Sequence, residues 1–134
     1  MGMYTTLFLA VQFKEDTPPE IIETIYRAVA GCGCQHEHYT NLAPKFGRDN
    51  DLEHLSYVFN HFSFYQRGPS ISKLDVDSSN LYRLLVYSSF KNYNNEINIL
   101  IDWLKPWIDV QDNQANVIGW HWYEEDERPT LIEI

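Results

Sequence analysis

The sequence predicts an α+β fold, namely a ferredoxin-like β-α-β-β-α-β antiparallel sheet with two helices on one face and an extra C-terminal strand. The order of the predicted elements supports this class. Apolar strand-like segments alternate with two amphipathic helical segments in the corresponding order. No linker, internal repeat or low-complexity tract interrupts the 134 residues, so we expect a single domain over residues 1–134.

The first strand is predicted at residues 3–13, where both sets of alternating side chains are largely apolar, as in a central strand. The helix that follows has a clear start signal, because Thr17 can act as N-cap, Pro18 suits the first helical position and Glu20 completes a capping box. Gly31 is expected to end this helix.

The middle of the chain is less regular. Residues 32–52 show no sustained period and are interpreted as a long loop with room for one short helical turn. A second helix is expected after a turn at residues 92–95, with apolar side chains at helical spacing from Ile97 to Ile108, and Pro106 should kink or end it. The remaining strands are predicted at residues 55–65, 71–76, 81–90, 117–124 and 130–134.

Charge and composition argue against a nucleic-acid partner, a membrane span and an oxidising compartment. Ten basic and nineteen acidic side chains give a formal net charge of −9, which disfavours nucleic acid as a partner because its phosphate backbone would be repelled. No apolar run approaches the ~20 residues that span a membrane. Two cysteines without a secretion signal favour a reducing cytoplasm.

The stretch GCGCQHEH resembles a metal site at first reading. Its candidate ligands are Cys32, Cys34, His36 and His38. In an extended chain all four point the same way, and adjacent ligands on one side do not easily surround a tetrahedral ion. A second pair would have to come from His54 or His61. We therefore interpret the stretch as a polar loop and expect no metal or other cofactor, with a bent loop around a soft ion as the alternative.

Strand parity predicts an open sheet face opposite the helices. We expect Ile118, Trp120 and Trp122 to face the helices, so that His121 and Tyr123 face away. The predicted open face then consists of Tyr4, Phe8, Arg83, Tyr87, His121 and Tyr123, with His61 as a further candidate. Tyrosine offers contact area with a hydrogen-bonding group, and arginine recognises anions. The alternative is that the chain itself or a second copy, in a homodimer, covers this face.

An acidic run follows the predicted fourth strand. It consists of Glu124, Glu125, Asp126 and Glu127. One interpretation is a solvated hairpin turn, since charge runs avoid burial. The other is an acidic patch that attracts a protein partner with a basic surface.

Three segments, "DTPPEIIETI", "SSFKNYNNEI" and "IGWHWYEEDERPTLIEI", resemble parts of a group of short uncharacterised proteins from bacteria and their mobile elements. In that group a Thr-Pro-capped helix follows the first strand, and the chain closes on Gly-aromatic-x-x-Tyr-Glu-Glu, an acidic stretch and Pro-Thr-Leu-Ile. The likeness covers the start and the last third of the chain. It implies an intact small domain and no particular activity.

These observations predict a non-enzymatic, acidic protein-interaction module of the inhibitor, immunity or regulatory type. Its contact surfaces would be the aromatic open sheet face and the acidic turn. The alternative is a binding protein or enzyme for a small anionic ligand, with Arg83 as the anion anchor and His121 as the proton-transfer group. The first reading is favoured because a catalytic site needs a second oriented polar group, and the sequence shows none.

Overall fold

The computed structural model describes residues 3–31, 37–47, 50–61, 70–110 and 116–134. Over these residues the chain forms an α+β architecture, in which a five-stranded antiparallel sheet is joined by four α-helices and one short 3₁₀ turn. The strands are β1 (Thr5–Gln12), β2 (Ile71–Val76), β3 (Tyr82–Phe90), β4 (Val117–Tyr123) and β5 (Thr130–Glu133). The helices are α1 (Pro19–Ala30), α2 (Glu37–Leu42), α3 (Asp51–Asn60) and α4 (Glu96–Leu104).

The strand order in the sheet is β2-β3-β1-β4-β5, and every neighbouring pair is antiparallel. Strand β1 is central because it pairs with β3 on one side and with β4 on the other. Its partners are distant in sequence, since Thr5 lies opposite both Phe90 and Tyr123. Within the described ranges, no helix has the length and hydrophobicity that a bilayer crossing requires.

The hydrophobic core lies on one face of this sheet, under the helices. Strand β1 contributes Leu7, Leu9 and Val11, and β3 contributes Leu84 and Val86. The helices supply the opposing side chains Ile21, Ile22, Ile25, Leu52, Leu55, Val58, Phe59, Ile97, Leu100 and Leu104. Burying one such aliphatic side chain stabilises a fold by about 1.5–3 kcal/mol, so this cluster dominates the stability of the molecule.

Helix α1 follows its sequence prediction except at the first turn. Pro18 occupies the N-cap position and Pro19 is the first helical residue. Thr17 does not cap the helix, because its hydroxyl donates a hydrogen bond of 2.7 Å to the carbonyl of Lys14 in the preceding turn. Gly31 ends the helix as predicted, with a φ of 72° that a residue without a side chain adopts at low cost.

The predicted strand at 55–65 is wrong as far as residue 61, because α3 occupies this part of the chain. Asn50 is its N-cap, and the side chain of Asn50 accepts a 3.0 Å hydrogen bond from the backbone N–H of Glu53. Leu52, Leu55 and Phe59 are buried at helical spacing, which overrides the strand propensity of the aromatic residues. Residues 62–65 lie outside the described residues.

The long loop predicted at 32–52 contains more helix than expected. Helix α2 occupies Glu37–Leu42, and α3 already begins at Asp51. The segments 32–36 and 48–49 of the predicted loop lie outside the described residues. In the described part of the connection from β1 to β2, three helices follow one another.

The second predicted helix and its end are confirmed. Helix α4 is followed by the 3₁₀ turn Lys105–Trp107, which contains Pro106. Beyond it, Ile108 is buried and forms an isolated bridge with Phe13. This bridge ties the end of the helical segment to the end of β1. The predicted strands at 71–76, 81–90, 117–124 and 130–134 correspond to β2, β3, β4 and β5.

Candidate functional site

A row of apolar side chains crosses the sheet on the face opposite the helices. At its centre Phe8 lies between Tyr87 of β3 and Trp120 of β4, its direct neighbours in the sheet register. The ring of Trp120 stacks on Phe8 at 5.7 Å between centroids and meets Tyr87 edge-on at 6.5 Å. In the outer strands, Ile71 pairs with Tyr87 and Leu131 pairs with Trp120. Directly opposite residues of antiparallel strands share a face, so these five side chains form one line, called here the apolar row.

The outer parts of this face are exposed. Ile71 is 49 % exposed and Leu131 is 56 % exposed, at the two ends of the apolar row. Trp122, two residues beyond Trp120, is 41 % exposed, and its ring meets Trp120 edge-on at 6.4 Å. The indole N–H of Trp122 donates a 2.9 Å hydrogen bond to the carbonyl of Asp126. The exposed ring is therefore held in one orientation.

The predicted parity of β4 is wrong from Trp120 to Tyr123, whereas Ile118 packs against the core as expected. His121 lies opposite the buried Leu7 and Tyr123 lies opposite the buried Thr5, so both belong to the helix side of the sheet. Trp120 and Trp122 point to the open side instead. Both sets of alternating residues in β4 are apolar or aromatic, and pairing with β1, not relative hydrophobicity, decides which set faces the helices.

Gly119 lies in close contact with the backbone of β1. It lies opposite Leu9, and a Cβ atom at Gly119 would come within 2.0 Å of the carbonyl oxygen of Phe8. The strand is irregular at this point, because the register with β5 shifts between Val117 and Gly119. Only glycine allows β4 to approach β1 this closely.

Arg83 and Tyr4 lie at opposite ends of the open face. The guanidinium Nε of Arg83 is 3.0 Å from Asp75 Oδ1, and Lys73 Nζ is 3.7 Å from the other oxygen of that carboxylate. Arg83 is therefore paired, and with His121 on the other face the anion pocket expected from these two residues is not assembled. Tyr4 packs instead against the ring of His61, at 6.1 Å.

Two residues of the acidic turn, Glu124 and Asp126, form hydrogen bonds that hold the turn in place. The carboxylate of Glu124 accepts a 2.9 Å hydrogen bond from the backbone N–H of Tyr4, and the backbone N–H of Glu124 donates to the carbonyl of Tyr4. Asp126 closes the turn by donating its backbone N–H to the carbonyl of Tyr123. The side chains of Glu125 and Glu127 are left exposed to solvent.

The two residues on the helix side of β4 have shifted protonation equilibria. Burial lowers the pKa of His121, and the nearby carboxylate of Asp126 partly opposes that shift. Desolvation raises the pKa of the Tyr123 phenol, as do the negative charge of Glu125 and the neighbouring Tyr93. His121 is therefore biased toward the neutral form.

A cleft of about 490 Å³ opens at the start of α4, beside α3, and is called here the α3–α4 cleft. Its lining consists of Asn50, Glu53, His54, Tyr57, Lys91, Tyr93, Asn94 and Glu96. On the wall of this cleft, His54 Nε2 lies 3.5 Å from Glu96 Oε1, and only 2 % of the Glu96 side chain is exposed. The other carboxylate oxygen of Glu96 accepts a 3.1 Å hydrogen bond from the backbone N–H of Asn94.

His61 lies between the cleft and the sheet. Its ring stacks on Tyr57 of the cleft at 4.6 Å, and on the other side it approaches Tyr4. Burial lowers the pKa of His61, and the positive charge of Lys91 lowers it further. The rings of Tyr57, His61 and Tyr4 therefore connect the cleft to the start of β1.

Three of the four candidate ligands in the GCGCQHEH motif, Cys32, Cys34 and His36, lie outside the described residues. His38 belongs to α2, where it is exposed, and its Nε2 is 3.7 Å from a carboxylate oxygen of Glu20. Among the residues with assigned structure, no three His, Cys, Asp or Glu side chains are arranged to hold a metal ion.

Several residues of these two regions were missed by the sequence reasoning. Trp120 and Trp122 were assigned to the core, and His54 was considered only as a distant metal ligand. The overlooked signal for the cleft was the Asn50-x-x-Glu53 pattern, which is typical of a helix start and places His54 and Tyr57 one turn apart on the same side. Nothing in the sequence alone indicates that Glu96 approaches His54.

Comparison with protein-family models, with curated proteins and with solved structures returns no match to this chain. The resemblance to short bacterial proteins therefore stays an expectation, and the two regions must be interpreted from their own chemistry.

Proposed function

We propose that this protein is a non-enzymatic interaction module that binds a protein partner through the open sheet face. The observation that carries this proposal is the apolar row, which crosses all five strands with no charged side chain in it. With strands about 4.8 Å apart, the row extends over about 19 Å. Trp122 stands exposed beside it.

The shape of this face supports a macromolecular partner. Protein interfaces bury about 800 Å² per partner, and a few Trp and Tyr side chains at the centre supply most of the binding energy. On this face the ring of Trp120 contacts both Trp122 and Tyr87, so little side-chain entropy would be lost on binding.

Charge supports a basic partner. The formal net charge of the chain is −9, and Glu125 and Glu127 are exposed in the turn that follows β4. The backbone of the same turn accepts the indole N–H of Trp122, so the acidic turn lies next to the exposed ring. Such an arrangement accelerates encounter with a positively charged surface and orients it.

The sheet topology, the cellular compartment and the possible second copy are part of the same proposal. We assign the sheet to the ferredoxin-like arrangement with an added edge strand, because β3 and β4 flank β1. We place the protein in the bacterial cytoplasm, since a chain with only two cysteines in 134 residues suits a reducing compartment. A second copy of the chain is the other protein partner that an apolar sheet face suits.

Affinity capture with matched surface variants tests the proposal. The double variant Trp122→Ser/Leu131→Ser removes two exposed apolar side chains, and we expect the captured partner to fall at least tenfold, as for loss of a binding hot spot. Tyr26→Ser, at an equally exposed ring on α1, should keep the partner. Charge reversal of Glu125 and Glu127 should slow association of the purified partner.

Sedimentation of the purified protein separates the two kinds of partner. A wild-type dimer that the double variant converts to monomer identifies a second copy as the occupant of the face. A partner that binds the double variant and the wild type equally, with both folded, would overturn the proposal.

A further inference from the structure

The α3–α4 cleft has the dimensions and lining of a small-molecule site. Its volume of about 490 Å³ falls within the 300–1,000 Å³ typical of ligand pockets. Two tyrosine rings, Tyr57 and Tyr93, form aromatic parts of its lining, and Tyr93 is 63 % exposed. The polar groups between these rings therefore decide which ligand the cleft accepts.

The carboxylate of Glu96 is the most unusual of these groups. It is almost completely buried, and its Oε1 has His54 Nε2 at 3.5 Å, the outer limit of a hydrogen bond. His54 Nε2 is itself buried without a hydrogen-bond partner among the described residues. A buried carboxylate with such a weak contact retains capacity to accept a further hydrogen bond.

The remaining charges make the cleft acidic. The carboxylate of Glu53 is exposed on its rim and forms no ion pair within the described part of the chain. Among the described residues of the lining, Lys91 is the one lysine or arginine, and its ammonium lies 5.7 Å from the centre of the Tyr4 ring. That contact holds the Lys91 charge toward the end of the sheet.

We propose that the α3–α4 cleft binds a small organic cation, an ammonium or guanidinium group attached to a compact apolar body. Aromatic faces and carboxylates are the two features that attract such cations, and here Tyr57 and Tyr93 accompany Glu53 and Glu96. An anion would meet two carboxylates. The cation can be a free amine or the basic side chain of a protein, because both carry the same group.

Titration with three ligands of matched size tests the charge preference. Benzylamine, benzyl alcohol and benzoate are added to the protein, and the ring signals of His54, Tyr57 and Tyr93 are followed by NMR. We expect benzylamine to bind at least tenfold more tightly than the other two, since one charge-assisted hydrogen bond is worth about a factor of ten. Absence of benzylamine binding, or equal binding of benzoate, would overturn the proposal.

Three variants assign the contacts. Glu96→Gln keeps an acceptor for the N–H of Asn94 and removes the charge, so we expect about a tenfold loss of benzylamine affinity. Glu53→Gln and Tyr93→Leu lie on the exposed rim, and each should weaken binding about three- to fivefold. Glu127→Gln, an exposed carboxylate in the β4–β5 turn, is the matched control. Unchanged affinity in both rim variants would also overturn the proposal.

The source of the cation is decided by a second pair of ligands. Capped lysine, N-acetyl-lysine methylamide, represents a protein side chain, and benzylamine represents a free aromatic amine. Tighter binding of capped lysine identifies a basic protein segment as the ligand, and tighter binding of benzylamine identifies a free amine. The sheet-face variant Trp122→Ser/Leu131→Ser should bind benzylamine like the wild type, so the two proposals fail or stand separately.

Discussion

The open sheet face and the α3–α4 cleft both present aromatic rings, but they differ in what surrounds those rings. On the sheet face the ring of Trp120 contacts Phe8 and Tyr87, and the charges of Arg83 and Asp75 are paired at its far end. In the cleft, rings alternate with ionisable groups. A continuous apolar surface favours a broad partner, whereas interspersed carboxylates favour a compact ligand with its own charge.

The two regions also arise from different local causes. The sheet face follows from strand pairing, since the register of β1 with β3 and β4 brings residues from distant parts of the chain into one line. The cleft follows from two helix starts, because Asn50 caps α3 and Glu96 is the first residue of α4. Changes in pairing should therefore affect the face, and changes in capping should affect the cleft.

The largest expected effect is on the sheet. Gly119→Ala would place a methyl group 2.0 Å from the carbonyl oxygen of Phe8, so β4 would have to move away from β1. We expect the free energy of unfolding to fall by at least about 3 kcal/mol, measured by chemical denaturation. Ala10→Val, on the exposed side of β1, is the control and should change it by less than about 0.5 kcal/mol. Wild-type stability in Gly119→Ala would contradict the close β1–β4 contact.

The next largest effect is a loss of stability at the start of α3, beside the cleft. Asn50→Ala removes the acceptor of the Glu53 backbone N–H and of the Thr40 hydroxyl, so the unfolding free energy should fall by about 1 kcal/mol. Asn95→Gly is the matched variant at the start of α4, where the residue has a φ of 61° and makes no side-chain cap bond. Glycine tolerates that φ, so its cost should be small.

Hydrogen exchange shows which part of the molecule the Asn50→Ala variant affects. Hydrogen exchange should accelerate in the first turn of α3 in Asn50→Ala, while the amides of β1 and β4 stay protected relative to global stability. Equal acceleration in helix and sheet would show that the two regions do not open independently.

The smallest effect is a dependence of stability on pH. The pKa values of His61 and His121 are both lowered in the folded state, chiefly by burial. Unfolding therefore takes up protons, so the stabilising contribution is complete above the ordinary histidine pKa near 6.5 and is lost as pH falls through the lower folded values. Denaturation between pH 8 and pH 5 should show this decline.

Single variants apportion that decline between the two regions. His61→Gln removes the share from the stack beside the cleft, and His121→Gln removes the share from beneath the sheet. His38→Gln, an exposed side chain of α2, is the control. A pH profile that neither His61→Gln nor His121→Gln changes would contradict the burial of these rings.

The sequence predicted the strands and the C-terminal helix well, because their periodicity and turn residues agree. It failed at α3, where Tyr57 and Phe59 have high strand propensity while the buried spacing of Leu52 and Leu55 is helical. It failed again in β4, where both faces carry rings and the pairing with β1, with Gly119 in close contact, decides which side chains face the helices. The His54–Glu96 approach was not predictable, since it joins two helices that share no local pattern.

The central position of β1 has a consequence for synthesis of the chain. Its partners at Phe90 and Tyr123 are made long after it, so an apolar segment leaves the ribosome seconds before anything can pair with it. Until then α1 is the nearest element able to shield that segment. A nascent chain halted before β3 should therefore bind a holding chaperone, and release should coincide with emergence of the β3 hydrogen-bonding edge.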